Sequence, residues 1–263
     1  MPDTSWTPFL PDGQSIRPLS TPAGRRYRLA VSVPRAAPPE PGFPSIVVLD
    51  GHRHFQAMAA AAEALSVRSE KTGMEPLVVI GVFHDEAEEA EDARARDFTS
   101  IACLEPDWSR PHGESADSRR FLVDQALPAA SEAASLDLAR RALFGHSLGG
   151  LFVLETLETE PLLFSRWISV SPSLWWRAPA HANADETLLL GYGEMETGRG
   201  MRRRIEEWAA RASEQGRSPL LRIAPLADHG STPFMLIPEA LRHASLHRTA
   251  RAGRHAEKSR LET

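Results

Sequence analysis

Residues 145–150 read Gly-His-Ser-Leu-Gly-Gly, so a Gly-x-Ser-x-Gly follows the apolar run 142–144 and opens the helical pattern of residues 148–158. A strand that turns into a helix this abruptly holds its serine in a strained backbone conformation and lifts the hydroxyl above a sheet. Gly145 and Gly149 suit the turn because a Cβ at either is expected to collide across it. The pentapeptide alone arises by chance in about one chain in ten at ordinary Gly and Ser frequencies. Its place between a strand and a helix is what restricts the fold, since that junction needs a sheet with helices laid on it.

The rest of the chain supplies such a sheet. Short runs rich in Val, Ile and Leu at 27–34, 45–50, 77–82, 141–145, 167–170, 187–191 and 221–226 predict strands, and helical patterns fall at 53–66, 118–134, 148–158, 200–214 and 233–246. Strands alternating with helices predict an α/β architecture, a mostly parallel central sheet with helices on both faces. The Pro-rich stretch 36–44 precedes a strand, so it is expected to be a surface turn joining two neighbouring strands rather than a domain linker. One domain over 1–247 is expected, with 248–263 as a polar basic tail carrying five Lys or Arg against two Glu. The six acidic residues between Asp85 and Asp92 read as a solvated loop or helix face.

Composition narrows the function classes. With 42% hydrophobic and 25% charged residues the chain is an ordinary globular one, and a formal charge of -5 offers no footprint for nucleic acid. Cys103 is the only cysteine, so no internal disulfide can form. The Pro-rich, polar start lacks a signal-peptide core, and no segment approaches the roughly 20 apolar residues that span a bilayer. A cytoplasmic protein with no membrane partner is the expectation.

Ser147 is the candidate nucleophile, and the Leu148 N–H at the start of the following helix is a candidate oxyanion donor. A serine hydroxyl needs a base, which in this fold comes last in chain order after the acid. His229, in Leu-Ala-Asp-His-Gly-Ser just past the final strand, fits that position. His243 and His247 lie on a helical face or the tail, and the His146 side chain is expected to point away from the nucleophile. Between serine and base, Glu194 and Glu196 follow a strand; the Gly-x-x-acid spacing from Gly193 favours Glu196, with Glu194 as the alternative acid and a Ser-His dyad if neither serves. The second oxyanion donor is expected from Gly51 or His52, after the strand ending at Asp50. His52 and His54 form a His-x-His without a third ligand at recognisable spacing, so no metal is expected and no cofactor is required.

With these residues in place, the chain resembles the putative-esterase family of α/β-hydrolases, in particular its branch of catecholate siderophore esterases. The resemblance runs from about 27 to 243 through YRLAVSVP at 27–34, LDGHRHF at 49–55, RARDFTS at 94–100, GHSLGGLFVLETL at 145–157, LFSRWISVSPSLWW at 163–176, GEMETG at 193–198 and DHGST at 228–232. It implies hydrolysis of a siderophore trilactone, ferric or apo, with Arg94 and Arg96 meeting its anionic groups and Trp175 and Trp176 bordering the pocket. Guanidinium groups and aromatic faces suit such a ligand. A general carboxylesterase, or a thioesterase of the S-formylglutathione hydrolase kind, is the alternative on small acyl or aryl esters. A non-catalytic binding member of the fold would be expected to lack one of serine, acid or base.

Overall fold

The structure is a computed structural model that describes residues 11–85, 90–103, 110–181 and 183–246. Among these, eight strands form one sheet in the order β1-β2-β4-β3-β5-β6-β7-β8. They are β1 (Gln14–Ser20), β2 (Arg26–Ser32), β3 (Phe43–Val48), β4 (Val78–His84), β5 (Leu136–His146), β6 (Arg166–Val170), β7 (Leu188–Gly193) and β8 (Leu220–Ala224). β1 and β2 run antiparallel at one edge, and every pairing from β4 through β8 is parallel. The helices that matter below are α1 (Gly51–Ser66), α2 (Ser69–Thr72), α3 (Ala90–Phe98), α4 (Ser115–Phe121), α5 (Leu127–Ala133), α6 (Leu148–Thr159), α7 (Met201–Glu214), α8 (Thr232–Met235) and α9 (Ile237–Ser245).

The central strands carry long apolar runs because both of their faces are buried there. On one face Val47, Leu49, Val82, Leu143 and Leu190 pack with residues of α3, α6 and α7. On the other, Ile46, Val48, Val79, Phe144 and Ile168 meet Phe55, Met58 and Ala59 of α1 and Ala240 and Leu241 of α9. The expected α/β-hydrolase architecture, a mostly parallel sheet with helices on both faces, is the one found. No helix among the described residues is long and apolar enough to cross a membrane.

Several local expectations are corrected. The stretch 36–44 does lead from β2 into β3, but these are not neighbours: β4 lies between them. The run read as one helix over 118–134 is α4, a π-helical turn at Leu122–Ala126, and α5. Pro128 opens α5, and having no N–H it cannot continue an unbroken α-helical ladder. β1 has no apolar run to mark it in the sequence, because an edge strand needs no apolar face; most of it is exposed. Of the acidic block, residues 86–89 lie outside the described residues, whereas Glu91 and Asp92 sit in the first turn of α3 and pair with Arg53, Arg94 and Arg110. Residues 247–263, which hold the basic tail, also lie outside the described residues.

Candidate active site

The carboxyl ends of β3, β5, β6, β7 and β8 meet at one edge of the sheet, where the loops between strand and helix can converge. At the end of β5 the chain turns through Ser147 at φ 59°, ψ −117° and enters α6. A Cβ on Gly145 would stand 2.1 Å from the Gly149 carbonyl oxygen, so Gly145 is required. The Gly149 position has ordinary contacts of 3.5 Å and more, which overturns the expectation of a clash there. Gly150 is the second tight position instead, its Cβ falling 2.8 Å from the Val170 carbonyl oxygen.

Three loops bring side chains to this serine. His229 Nε2 lies 3.1 Å from Ser147 Oγ, and on the other side of the ring His229 Nδ1 lies 3.5 Å from Glu196 Oε2. The loop holding His229 is shaped by Asp228, whose carboxylate accepts the Ser231 N–H at 2.8 Å. Glu196 is buried, and its Oε1 accepts hydrogen bonds from Ser171 Oγ at 2.5 Å, Thr232 Oγ1 at 2.7 Å and the Gly193 N–H at 3.1 Å. Burial pushes the Glu196 carboxyl up, but the contacts from His229, Ser171 and Thr232 outweigh it and hold the group below the ordinary carboxylate range. The Gly-x-x-acid spacing has its reason here: a Cβ on Gly193 would sit 2.2 Å from Thr232 Oγ1 and 2.4 Å from the Ala227 carbonyl oxygen. Glu194 points elsewhere, is exposed, and accepts the Leu226 N–H at 2.9 Å.

His146 does not point away, as had been expected. It ends β5 on the side where His54 lies, with its ring 5.6 Å from that of His54 and 4.5 Å from that of His229. The strand's alternation stops at the positive-φ turn, so neighbours in sequence contribute to one cluster. Burial pushes the His146 imidazole well below its ordinary range and takes His54 down to about 4, so both rings are neutral.

Gly51 and His52 are the first two residues of α1, and Leu148 is the first of α6; amides at such positions have no acceptor within their own helix. The two helix starts are adjacent, because Asp50 Oδ2 stands 3.5 Å from where a Gly149 Cβ would lie. Asp50 itself turns at φ 53° and is fully buried. Its carboxylate receives Arg94 Nε at 2.7 Å and Nη2 at 3.0 Å. Burial would raise this carboxyl, but the guanidinium holds it at about 2.

That pairing corrects the assignment of Arg94 to ligand binding. The side chain is only 4% exposed and engages Asp50 and Glu91, so it fixes the β3–α1 turn and presents no surface to a ligand. Trp176 is corrected likewise: it is wholly buried, with Nε1 donating to the Ile101 carbonyl at 2.9 Å. Arg96 keeps a partly exposed side chain and donates to Asp97 at 2.8 Å. Trp175 is nearly buried under the Arg199 guanidinium, 4.1 Å from the ring centroid. Ser171, Ser173 and Thr232 were missed as site residues, although the Ser-Pro-Ser after β6 was a visible signal. Ser173 Oγ is 3.3 Å from Ser147 Oγ.

An elbow serine between a parallel strand and a helix, with histidine and carboxylate on later loops of the same sheet edge, defines an α/β-hydrolase. The pattern of the Putative esterase family matches residues 20–210, and the chain belongs to that family; it is an esterase. It is 33% identical to the ferri-bacillibactin esterase of Bacillus subtilis (strain 168) in an alignment 243 residues long that covers 84% of this chain and 81% of that protein. Its fold is similar to the BES protein from Bacillus cereus at a TM-score of 0.82 and 26% identity, covering 92% of this chain and 100% of that one. It is also similar in fold to a siderophore hydrolase from Aspergillus nidulans, with a TM-score of 0.70, 21% identity, and 98% and 99% of the two chains covered.

Proposed function

We propose that the protein cleaves carboxylic esters through an acyl-enzyme on Ser147, with His229 as base and Glu196 as the acid that orients it. The observation that carries this reading is the 3.1 Å approach of His229 Nε2 to the hydroxyl of a serine held at φ 59°. Ser147 Oγ attacks the ester carbonyl while its proton passes to Nε2; the tetrahedral intermediate then expels the alcohol, which takes that proton. Water attacks the acyl-enzyme by the reverse proton route and releases the acid. Leu148 N–H, with that of Gly51 or His52, supplies the oxyanion donors, supported by the juxtaposition of two helix starts.

If Glu196 is the orienting acid, Glu196→Gln lowers kcat on every ester by about a hundredfold. This is less than the roughly 10⁴ of tighter triads, because the 3.5 Å separation from His229 is long. Glu194→Gln leaves kcat within about threefold, since its carboxylate only braces the Leu226 amide. Steady-state rates of both variants on p-nitrophenyl acetate decide it; equal losses would remove Glu196 from the role.

For the substrate, we infer a catecholate siderophore trilactone. The relatives named as ferri-bacillibactin esterase, apo-salmochelin esterase and siderophore triacetylfusarinine C esterase support siderophores as the ester class. Incubation with apo and ferric enterobactin followed by mass analysis is expected to reveal linear fragments. Turnover of p-nitrophenyl acetate with the trilactone left intact would instead favour a general carboxylesterase.

A further inference from the structure

Ser173 is wholly buried beside the nucleophile, and nothing in the triad accounts for it. Its N–H donates to the Ser147 carbonyl at 3.1 Å, so its loop is tied to the nucleophile's own peptide, and its Oγ stands 3.3 Å from Ser147 Oγ. The direction of that hydroxyl contact follows from counting protons. Glu196 is held ionised and faces His229 Nδ1, so the neutral imidazole carries its proton on Nδ1 and leaves Nε2 as an acceptor. The single proton of Ser147 therefore goes to Nε2, 3.1 Å away. Ser147 Oγ then has only lone pairs to offer Ser173, and Ser173 must be the donor.

On this basis, which rests on the triad reading above, we propose that Ser173 is a further catalytic residue, whose hydroxyl stabilises Ser147 Oγ as the leaving group of deacylation. In the acyl-enzyme, Oγ is an ester oxygen and a weak acceptor. When water has added to the acyl carbon, giving its proton to His229, the C–Oγ bond breaks and Oγ departs with the bonding pair. The proton on Nε2 then moves to Oγ. Negative charge grows on Oγ during that step, and a hydrogen bond to a charged oxygen shortens and strengthens. In acylation the same donor faces an oxygen that is losing electron density, so it gives no help there. The contact thus favours one transition state over the preceding ground state, which is the condition for raising a rate.

The split between the two half-reactions is the test. With p-nitrophenyl acetate the phenolate leaves readily, so deacylation is expected to limit turnover. Ser173→Ala is expected to lower kcat about tenfold and KM in the same proportion, leaving kcat/KM within about threefold. Stopped-flow traces should show a burst of p-nitrophenol approaching one per active site, and intact-mass spectra should show one acetyl group accumulating on the protein, mapped to the peptide at Ser147. Unchanged kcat and KM, a kcat/KM that falls as far as kcat, or acetyl on Ser173 of the wild type would each overturn the assignment. Should Ser173→Ala fail to fold by circular dichroism, Ser173→Cys, whose thiol is a weaker donor, is expected to give the same split at smaller size, and an undiminished kcat in it would count against the role. A Ser147→Ala variant run beside them separates the two readings: if it still turns over, the triad is wrong, and if it is dead while Ser173→Ala is normal, only the role of Ser173 falls.

Discussion

Ser147→Ala is expected to lower ester turnover by roughly 10⁴-fold or more while the protein stays folded. The substitution removes one oxygen and leaves the main-chain bonds of the turn in place: Ser147 N–H to the Val170 carbonyl at 3.0 Å, and the Ser147 carbonyl to the amides of Leu151 and Ser173. Alanine meets the positive φ of 59° with no more strain than serine, because both have a Cβ. What survives should be the modest rate that oxyanion donors and substrate binding give without a nucleophile. Steady-state assays and thermal melts on the same preparation check both halves. Activity above a tenth of wild type in a folded variant would mean that another group attacks the ester.

The second large effect is on stability in mild acid. His54 and His243 are buried and pushed to about 4, and His146 is driven well below its ordinary 6.5. Burial is the leading cause in each; beside it, Asp50 pulls His54 upward and the hydrogen bond to the Thr187 carbonyl pulls His243 upward, while Arg53 and Arg166 oppose them. Above pH 6.5 folded and unfolded chains both hold these rings neutral, and stability is independent of them. As pH falls below 6.5 the unfolded chain takes up protons that the folded one refuses, so stability drops, by about 3 kcal/mol each for His54 and His243 by pH 4. Asp50 and Asp97, held at about 2, add a further loss only as pH falls from about 4 toward 2. Melting temperatures are therefore expected to be level above neutrality and to decline steeply between pH 6.5 and 4.5. A flat profile across that interval would mean that these histidines are not buried as described.

The parts of the molecule legible in the sequence are those that depend on neighbours in sequence. The Ser147 elbow is a local steric problem, and the strands that are buried on both faces write themselves as continuous apolar runs. His229 and Glu196 could be singled out as candidates because chain order and a glycine three residues back restrict where such groups stand. What escaped were roles defined by distant partners. Arg94 is as plausible a ligand contact as any arginine until Asp50, 44 residues away, is seen to occupy it. α3 was overlooked because its nine residues are mostly charged or alanine, with little apolar periodicity, although Ala93, Ala95 and Phe98 are buried. Ser173 lies 26 residues from Ser147, and its closeness is produced only by β5 and β6 ending side by side.

Glu196 also has a bearing on how the enzyme fails. The oxygen turned away from His229 is gripped by Ser171 after β6, by Gly193 at the end of β7 and by Thr232 at the start of α8. One carboxylate is thus the common anchor of three segments whose own sequences are far apart, and its free oxygen is aimed at the base by that anchoring. On the triad reading, loosening any of the three lets the acid drift from the imidazole. Damage at this edge of the sheet then costs the rate that an oriented base adds, about the hundredfold expected of Glu196→Gln, while serine and histidine keep a slow hydrolysis of their own.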